Sequence, residues 1–189
     1  MASDTKSRMI AGAARLLAER GLQETSFSEV LELTGAPRGS IYHHFPDGKD
    51  QLIGEAIDHA GAQAIALLDA IAGAPAEDVA SAFLGMWREL LVRADFGIGC
   101  SVLAVTVATD SPDLVARAAV VFRAWRGRLA ELLRDGGTTD AAAARLATLL
   151  VAGAEGAVVL ARAEHSIEPF DQAREELLRA VRSHTVRAE

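Results

Sequence analysis

The run Arg38-Gly-Ser-Ile-Tyr-His-His-Phe-Pro-Asp-Gly-Lys49 puts a guanidinium, a hydroxyl, a phenol, two imidazoles and an ammonium on one short piece of chain. Nothing in it is set for bond breaking. Here and elsewhere in the sequence no nucleophile stands beside a base, no His, Asp and Glu fall at metal-ligand spacing, and no Gly-rich loop offers a phosphate cradle. Neither an enzyme nor a cofactor site is expected. What the set can do is hold a polyanion. A guanidinium donates in a planar fork that matches O6 and N7 of one guanine, which an ammonium cannot do bidentately. Hydroxyl, phenol and imidazole groups donate singly to phosphate oxygens, which positions a protein on a duplex without reading sequence. Arg38 is therefore the candidate base reader, and Gly39 lets the backbone come close. Ser40, Tyr42, His43 and His44 are candidate backbone contacts. The alternatives are a solvated surface arginine for Arg38 and burial of the Tyr42 ring against the first helix. His43 and His44 point about 100° apart on a helix and do not readily share a metal.

Such a set works only when a helix carries it with its first turn toward the groove, and the flanking sequence supplies that helix. Pro37 is tolerated in a first turn, so a short helix is expected over 37–45. Ahead of it, Ser26-Phe-Ser-Glu29 reads as a capping box, with Ser26 covering free N–H groups and Glu29 reaching back, for a helix ending near Thr34. Gly35 then stops that helix. Two short helices across a tight Gly-containing turn make a helix-turn-helix, and Thr25, Ser26 and Ser28 at its start are further candidate phosphate donors. Before it, Met9, Ile10, Ala13, Ala14, Leu16 and Leu17 recur at helical spacing up to Gly21.

After the break at Pro46-Asp-Gly48, Asp47 is the expected N-cap of a helix over 49–72. Lys49 in its first turn opposes the macrodipole. With the free N–H groups there it makes an anion site suited to a phosphate, or else it pairs with Asp50. Further helical segments are expected at 77–94, 101–109, 112–135, 139–165 and 169–187, punctuated by Gly and Pro. Nine helices with no period-2 alternation mean an all-α fold. Residues 1–48 form the expected helix-turn-helix DNA-binding domain, and residues 49–189 a larger helical domain.

Half the residues are hydrophobic and only 5% aromatic, a balance that favours helix over strand. The net charge of −7 excludes indiscriminate coating of nucleic acid. Residues 1–53 carry six Lys/Arg against seven Asp/Glu, and residues 54–189 thirteen against nineteen, so DNA binding must rest on a few placed groups. The most apolar run, Leu149 to Leu160, is broken by Glu155 and falls short of the roughly 18 residues of a membrane span, so no membrane partner is expected. The start of the chain, with Asp4, Lys6 and Arg8, lacks the apolar block of a signal peptide, which makes the cytoplasm the expected compartment. Cys100 is the sole cysteine, read as a packed or pocket-lining thiol against the alternative of a nucleophile.

The segment Thr25 to Phe45, with its Gly-Ser-Ile-Tyr-His-His-Phe string and the following Lys49, resembles the helix-turn-helix of the TetR family of bacterial repressors. Gly99-Cys-Ser-Val-Leu-Ala-Val105 and Glu155-Gly-Ala-Val-Val-Leu-Ala-Arg162 resemble the LmrA/YxaF-like branch of that family. The resemblance implies a homodimeric repressor that binds double-stranded operator DNA, with residues 49–189 as its ligand-binding and dimerisation domain, and a small apolar or aromatic effector held there that releases it from the operator. Pro37 departs from the Ser or Thr common at that place, and Glu24, Glu29 and Glu32 lower the local positive potential.

The larger half permits that reading. Phe83 and Trp87, with Met86 and Leu90, form one helical stripe; Phe122 and Trp125, with Val115 and Leu129, form another. These are core stripes or pocket walls. Phe96, Cys100 and Thr106 stand beside the Gly97 and Gly99 irregularity, and Arg126 and Glu155 are the few charges that could orient a ligand. Leu149 to Leu160 is apolar nearly all round, so its helix needs cover on more than one face. Leu149, Ala152, Gly153, Gly156 and Val159, with Leu177, Leu178 and Val181 of the last helix, are the expected dimer interface, the alternative being the central helix of a monomeric bundle. Glu155 belongs either to the pocket or to the interface. An activator, or a repressor without an effector, would carry the same architecture.

Overall fold

The computed structural model describes residues 2–185, with side chains from Asp4 onward. Among them nine helices follow in order: α1 (Ala2–Arg20), α2 (Phe27–Thr34), α3 (Arg38–His44), α4 (Lys49–Asp69), α5 (Ala76–Arg93), α6 (Ser101–Ala108), α7 (Pro112–Asp135), α8 (Asp140–Glu164) and α9 (Glu168–Arg182). The fold is all-α. Helix α4 stops three residues before the expected end, because the N–H groups of Ile71 and Ala72 bond three residues back, to Leu68 and Asp69, and Gly73 follows with φ 85°. Helix α9 ends at Arg182, where the Ser183 hydroxyl donates to Ala180 O (2.8 Å). Its expected extension ended on residues 186 and 187, which lie outside the described residues. Among the described residues the one paired extended contact is an isolated bridge between Thr138 and Thr185.

Contacts divide the chain into two units. One runs to Gln63 and takes up Cys100–Phe122; the other is Ala64–Gly99 and, from Arg123, the remainder. This line differs from the division of roles expected at residue 48. The reason is that α6 packs on α1, which draws the middle of the chain to the N-terminal helices. In this first unit Met9, Leu16 and Leu17 of α1, Ile41 and Phe45 around α3, and Leu52, Ile53 and Ile57 of α4 are fully buried.

The second unit is built on α5, α8 and α9, which pack on one another. Leu91, Ala157, Val158, Ala161 and Phe170 form a buried cluster there. Its rim is tied by ions: Arg88 holds Asp171 through two bonds (2.7 and 2.9 Å), and Arg182 meets Glu77 at 3.0 Å. The hydrogen bonds from Arg88 outweigh partial burial and hold the Asp171 carboxyl below the usual carboxylate range. By length and composition alone α8 could cross a membrane, but half of its most apolar window is buried in this unit.

Gly136 follows α7 where the chain passes the start of α5, its carbonyl accepting from the Ala76 N–H at 2.9 Å. A Cβ at residue 136 would lie 2.8 Å from Ala74 O and 2.9 Å from Ala76 Cα, with Ala76 N closer still. Those are backbone atoms and cannot swing away. Gly136→Ala is expected to destabilise the protein by about 1–3 kcal/mol through overpacking. Gly127→Ala, on the exposed side of α7 with nothing within 4 Å, should instead stabilise it by roughly 0.5–1 kcal/mol. Urea midpoints of the two variants check the contrast; equal shifts would show that the α5–α7 approach is not close.

Candidate nucleic-acid interface

Ser26 starts α2 in an extended conformation, and its Oγ accepts the Glu29 N–H at 3.2 Å. The reciprocal half of the expected capping box is not made, because the Glu29 carboxylate pairs with Arg20 of α1 at 2.8 Å. That pair neutralises one of the acids that lower the local potential. Helix α2 ends on Gly35 at φ 63°, a left-handed conformation that glycine adopts without a Cβ clash. Ala36 is buried in the turn, and Pro37 then caps α3 in extended geometry with no side-chain bond. Arg38, Gly39 and Ser40 are therefore the first three residues of α3, one position later than expected.

Burial splits α3 by face. Ile41 and Phe45 are buried, whereas Arg38, Gly39, Tyr42 and His43 are exposed and Ser40 and His44 half-buried. Tyr42 is 73% exposed and its ring meets Phe27 of α2 edge-on at 6.0 Å, so it is not buried against α1. The His43 and His44 rings stand 5.2 Å apart, edge to face. The Ser40 hydroxyl donates to Pro37 O at 2.6 Å and must rotate to reach a phosphate.

Three expected donors are placed less favourably. Thr25 is buried and its hydroxyl donates to Gly21 O at 2.8 Å, closing the turn after α1, so it is a structural residue in this conformation. Ser26 is occupied as the cap, while Ser28 is exposed. Lys49 neither pairs with Asp50 nor stands free: its Nζ donates to Leu22 O at 3.2 Å. One of its three donors is used there, and the bond holds the ammonium beside the α1–α2 connection.

Sequence reasoning missed Gln51. Asp47 was expected to cap α4, but the cap runs the other way: Gln51, third residue of α4, accepts the Asp47 N–H at 3.1 Å. A Gln at the third helical position stands where the returning half of a capping box does, but here it reaches one residue further back, to Asp47.

The model of the bacterial regulatory proteins of the tetR family matches residues 9–56, and the model of the C-terminal domain of LmrA/YxaF-like transcriptional regulators matches residues 75–176. The chain belongs to the TetR family. This TetR-family protein is 38% identical over 173 residues to an HTH-type transcriptional regulator of Mycobacterium tuberculosis, covering 88% of each chain. It is 26% identical over 171 residues to the HTH-type transcriptional regulator LmrA of Bacillus subtilis, covering 88% of this chain and 91% of LmrA. Among solved structures it is similar to a TetR transcriptional regulator from Chloroflexus aurantiacus, with a TM-score of 0.78, 30% identity and coverage of 99% and 98%. A second, regulatory protein TetR from Rhodobacter sphaeroides, gives a TM-score of 0.81 at 26% identity over 95% and 98%. It is a DNA-binding transcriptional regulator, not an enzyme.

The remaining expected residues of this TetR-family regulator fall in different settings. In the second unit Phe83 and Trp125 are buried, and Trp87 and Phe96 are partly buried against the α5–α8–α9 cluster. Glu155 is buried within α8. Arg126 reaches Thr148 Oγ1 at 3.5 Å in an exposed contact, so it does not point inward. In the first unit Cys100 caps α6, its Sγ accepting the Leu103 N–H at 3.4 Å. There Thr106 donates to Val102 O, and Phe122 is half-buried.

On α8, Leu149, Ala152, Gly156 and Val159 are exposed, together with Leu160. Leu177, Leu178 and Val181 are instead buried inside their own unit, and Gly153 is half-covered by Leu177, whose Cδ atoms would lie 2.8–2.9 Å from a Cβ there. The glycine serves the approach of α9 to α8 within one chain. Of the eight residues expected at an interface, the exposed ones are therefore all on α8.

Proposed function

We propose that this regulator is a homodimeric, cytoplasmic repressor whose two recognition helices α3 hold an operator, and that a small apolar or aromatic ligand releases it. The observation that carries the DNA-reading part is the split of α3: Ile41 and Phe45 anchor it, leaving Arg38, Gly39, Tyr42 and His43 outward. A fixed helix with an exposed first turn is the geometry that enters a major groove. Dimerisation is supported by the exposed apolar row on α8. Two half-sites about 34 Å apart, or a larger separation, are the matching arrangement on DNA.

Ligand release is supported by a corner of the second unit. Asp95 and Phe96 both carry positive φ (48° and 58°), uncommon for residues with side chains and rarer for a bulky aromatic. Phe96 meets His165, itself at φ 50°, with ring centroids 4.9 Å apart. Such held conformations collect at ligand clamps and switches, and Trp87 packs on the same cluster. By linkage, a ligand that lowers operator affinity is itself bound more weakly by the DNA complex, with a coupling of about 1–3 kcal/mol.

Selection of bound duplexes from a random library, followed by titration of the winners with apolar and aromatic compounds, tests the reading. An inverted repeat is expected, with tryptophan emission that changes on addition of any compound displacing it and loses that change in Trp87→Phe. A single unrepeated half-site would overturn the dimeric reading. A displacing compound that leaves the emission of both tryptophans unaltered would place its site away from Trp87.

A further inference from the structure

A carbonyl at the C-terminal end of α3 and an N–H of the α3–α4 connection find their partners in one side chain of α4. Gln51 Nε2 donates to His44 O at 3.4 Å and to Glu55 Oε1 at 2.9 Å, while Oε1 accepts the Asp47 N–H at 3.1 Å. A carboxylate cannot donate, so the amide is fixed in this orientation. His44 O is one of the carbonyls that a helix end leaves unpaired. Gln51 thus ties α3 and the α3–α4 connection to α4.

Glu55, one turn on, joins α1. Lys6 of α1 donates to its Oε1 at 3.0 Å and approaches Oε2 at 2.8 Å. The same ammonium stands 5.5 Å from the centroid of the Phe45 ring, within the range of a cation–π contact. From α7, Arg117 donates Nε and Nη2 to Asp58 Oδ2 (2.9 and 2.6 Å), and its guanidinium lies so close over Gly54 that a Cβ there would come within 2.5 Å of Nη1. Partial burial raises the Glu55 carboxyl, but Lys6, Gln51 and the Arg117 charge together bring it below its ordinary range. Gln51, Glu55 and Asp58 recur at helical spacing on α4, so one face of that helix carries a polar node touching α1, the end of α3 and α7.

We propose that Gln51 is a positioning residue for DNA reading: braced by Glu55, Lys6 and Arg117, it fixes the C-terminal end of α3 and so sets where Arg38, Tyr42 and His43 meet the duplex. Gln51 does not touch DNA in this account. The inference rests on the DNA-reading role proposed above, so one readout is taken without DNA.

The test uses the full chain and Gln51→Met, which keeps length and loses all three bonds. Hydrogen exchange of peptides covering 42–48 should accelerate by about tenfold, as loss of the bonds predicts, with peptides of α8 unchanged. On the selected duplex, affinity should fall about tenfold while affinity for random-sequence DNA and the salt slope hold. Arg117→Gln should act in the same direction and add little in the Gln51→Met background, because residues of one network are not additive. If Gln51→Met is poorly folded, Glu55→Gln, which keeps shape and removes the charge facing Lys6, carries both measurements.

Faster exchange with undiminished preference for the selected duplex would overturn the positioning role and leave Gln51 a stability residue. Unchanged exchange over 42–48 would overturn the node itself, whether or not an operator has been found. Full additivity of Arg117→Gln would remove α7 from it.

Discussion

Arg38→Ala should flatten the base preference at one position of each half-site, costing about 1–3 kcal/mol of discrimination there, while binding to unrelated DNA changes little. Arg38 is the first residue of α3, exposed, with Pro37 presetting the entry of the chain and no side-chain cap competing for the place. Its fork is worth most against a guanine, where two parallel bonds form and a substituted base leaves donors unpaired. Arg38→Lys should therefore restore charge but not the preference. Lys49→Ala gives the opposite pattern: affinity falls alike on every sequence, and the slope of log K against log salt flattens by roughly 0.9 for each lost phosphate contact. Titrations on single-base variants at several salt concentrations separate the two. If Arg38→Ala lowered affinity equally on all duplexes, arginine would be a phosphate contact and the base reader would lie elsewhere.

Where local chemistry decides, the sequence was legible. Gly35 and Pro37 sit next to the ends they make, and the limits of α2 and α3 follow from them within a residue. The Ser26 cap is likewise local. Partners on other helices were not legible, because no rule of spacing joins them. Glu29 turns to Arg20, nine residues back, in place of the Ser26 N–H. Lys6 finds Glu55 across 49 residues, and Arg117 finds Asp58 across 59. The same limit holds for α8 and α9. An apolar run around α8 shows that more than one face needs cover, but only the packing of α9 shows that Leu177, Leu178 and Val181 cover a face from within. What the packing leaves outside is the row on α8.

That row carries the larger of the two effects. Leu149, Ala152, Gly156 and Val159 follow at spacings of three, four and three, so they form one seam along the helix. Leu149, Val159 and Leu160 are 47%, 51% and 52% exposed, and Gly156 has nothing within 4 Å of where a Cβ would stand, so a second helix can approach closely. Exposed apolar rows of this kind on a folded protein mark interaction surfaces, and a two-fold axis lets the same seam cover itself in a second copy. Val159→Glu would bury a carboxylate in that seam, twice per dimer, where the neighbouring seam side chains are apolar and do not offset its desolvation. The expected result is a folded monomer by light scattering at micromolar concentration. Operator affinity should then drop by at least about a hundredfold, because the second half-site no longer benefits from the effective concentration that linkage provides. Val120→Glu, at 57% exposure on α7 and off the seam, is the control and should stay dimeric. A dimeric Val159→Glu protein with intact operator binding would move the interface off α8.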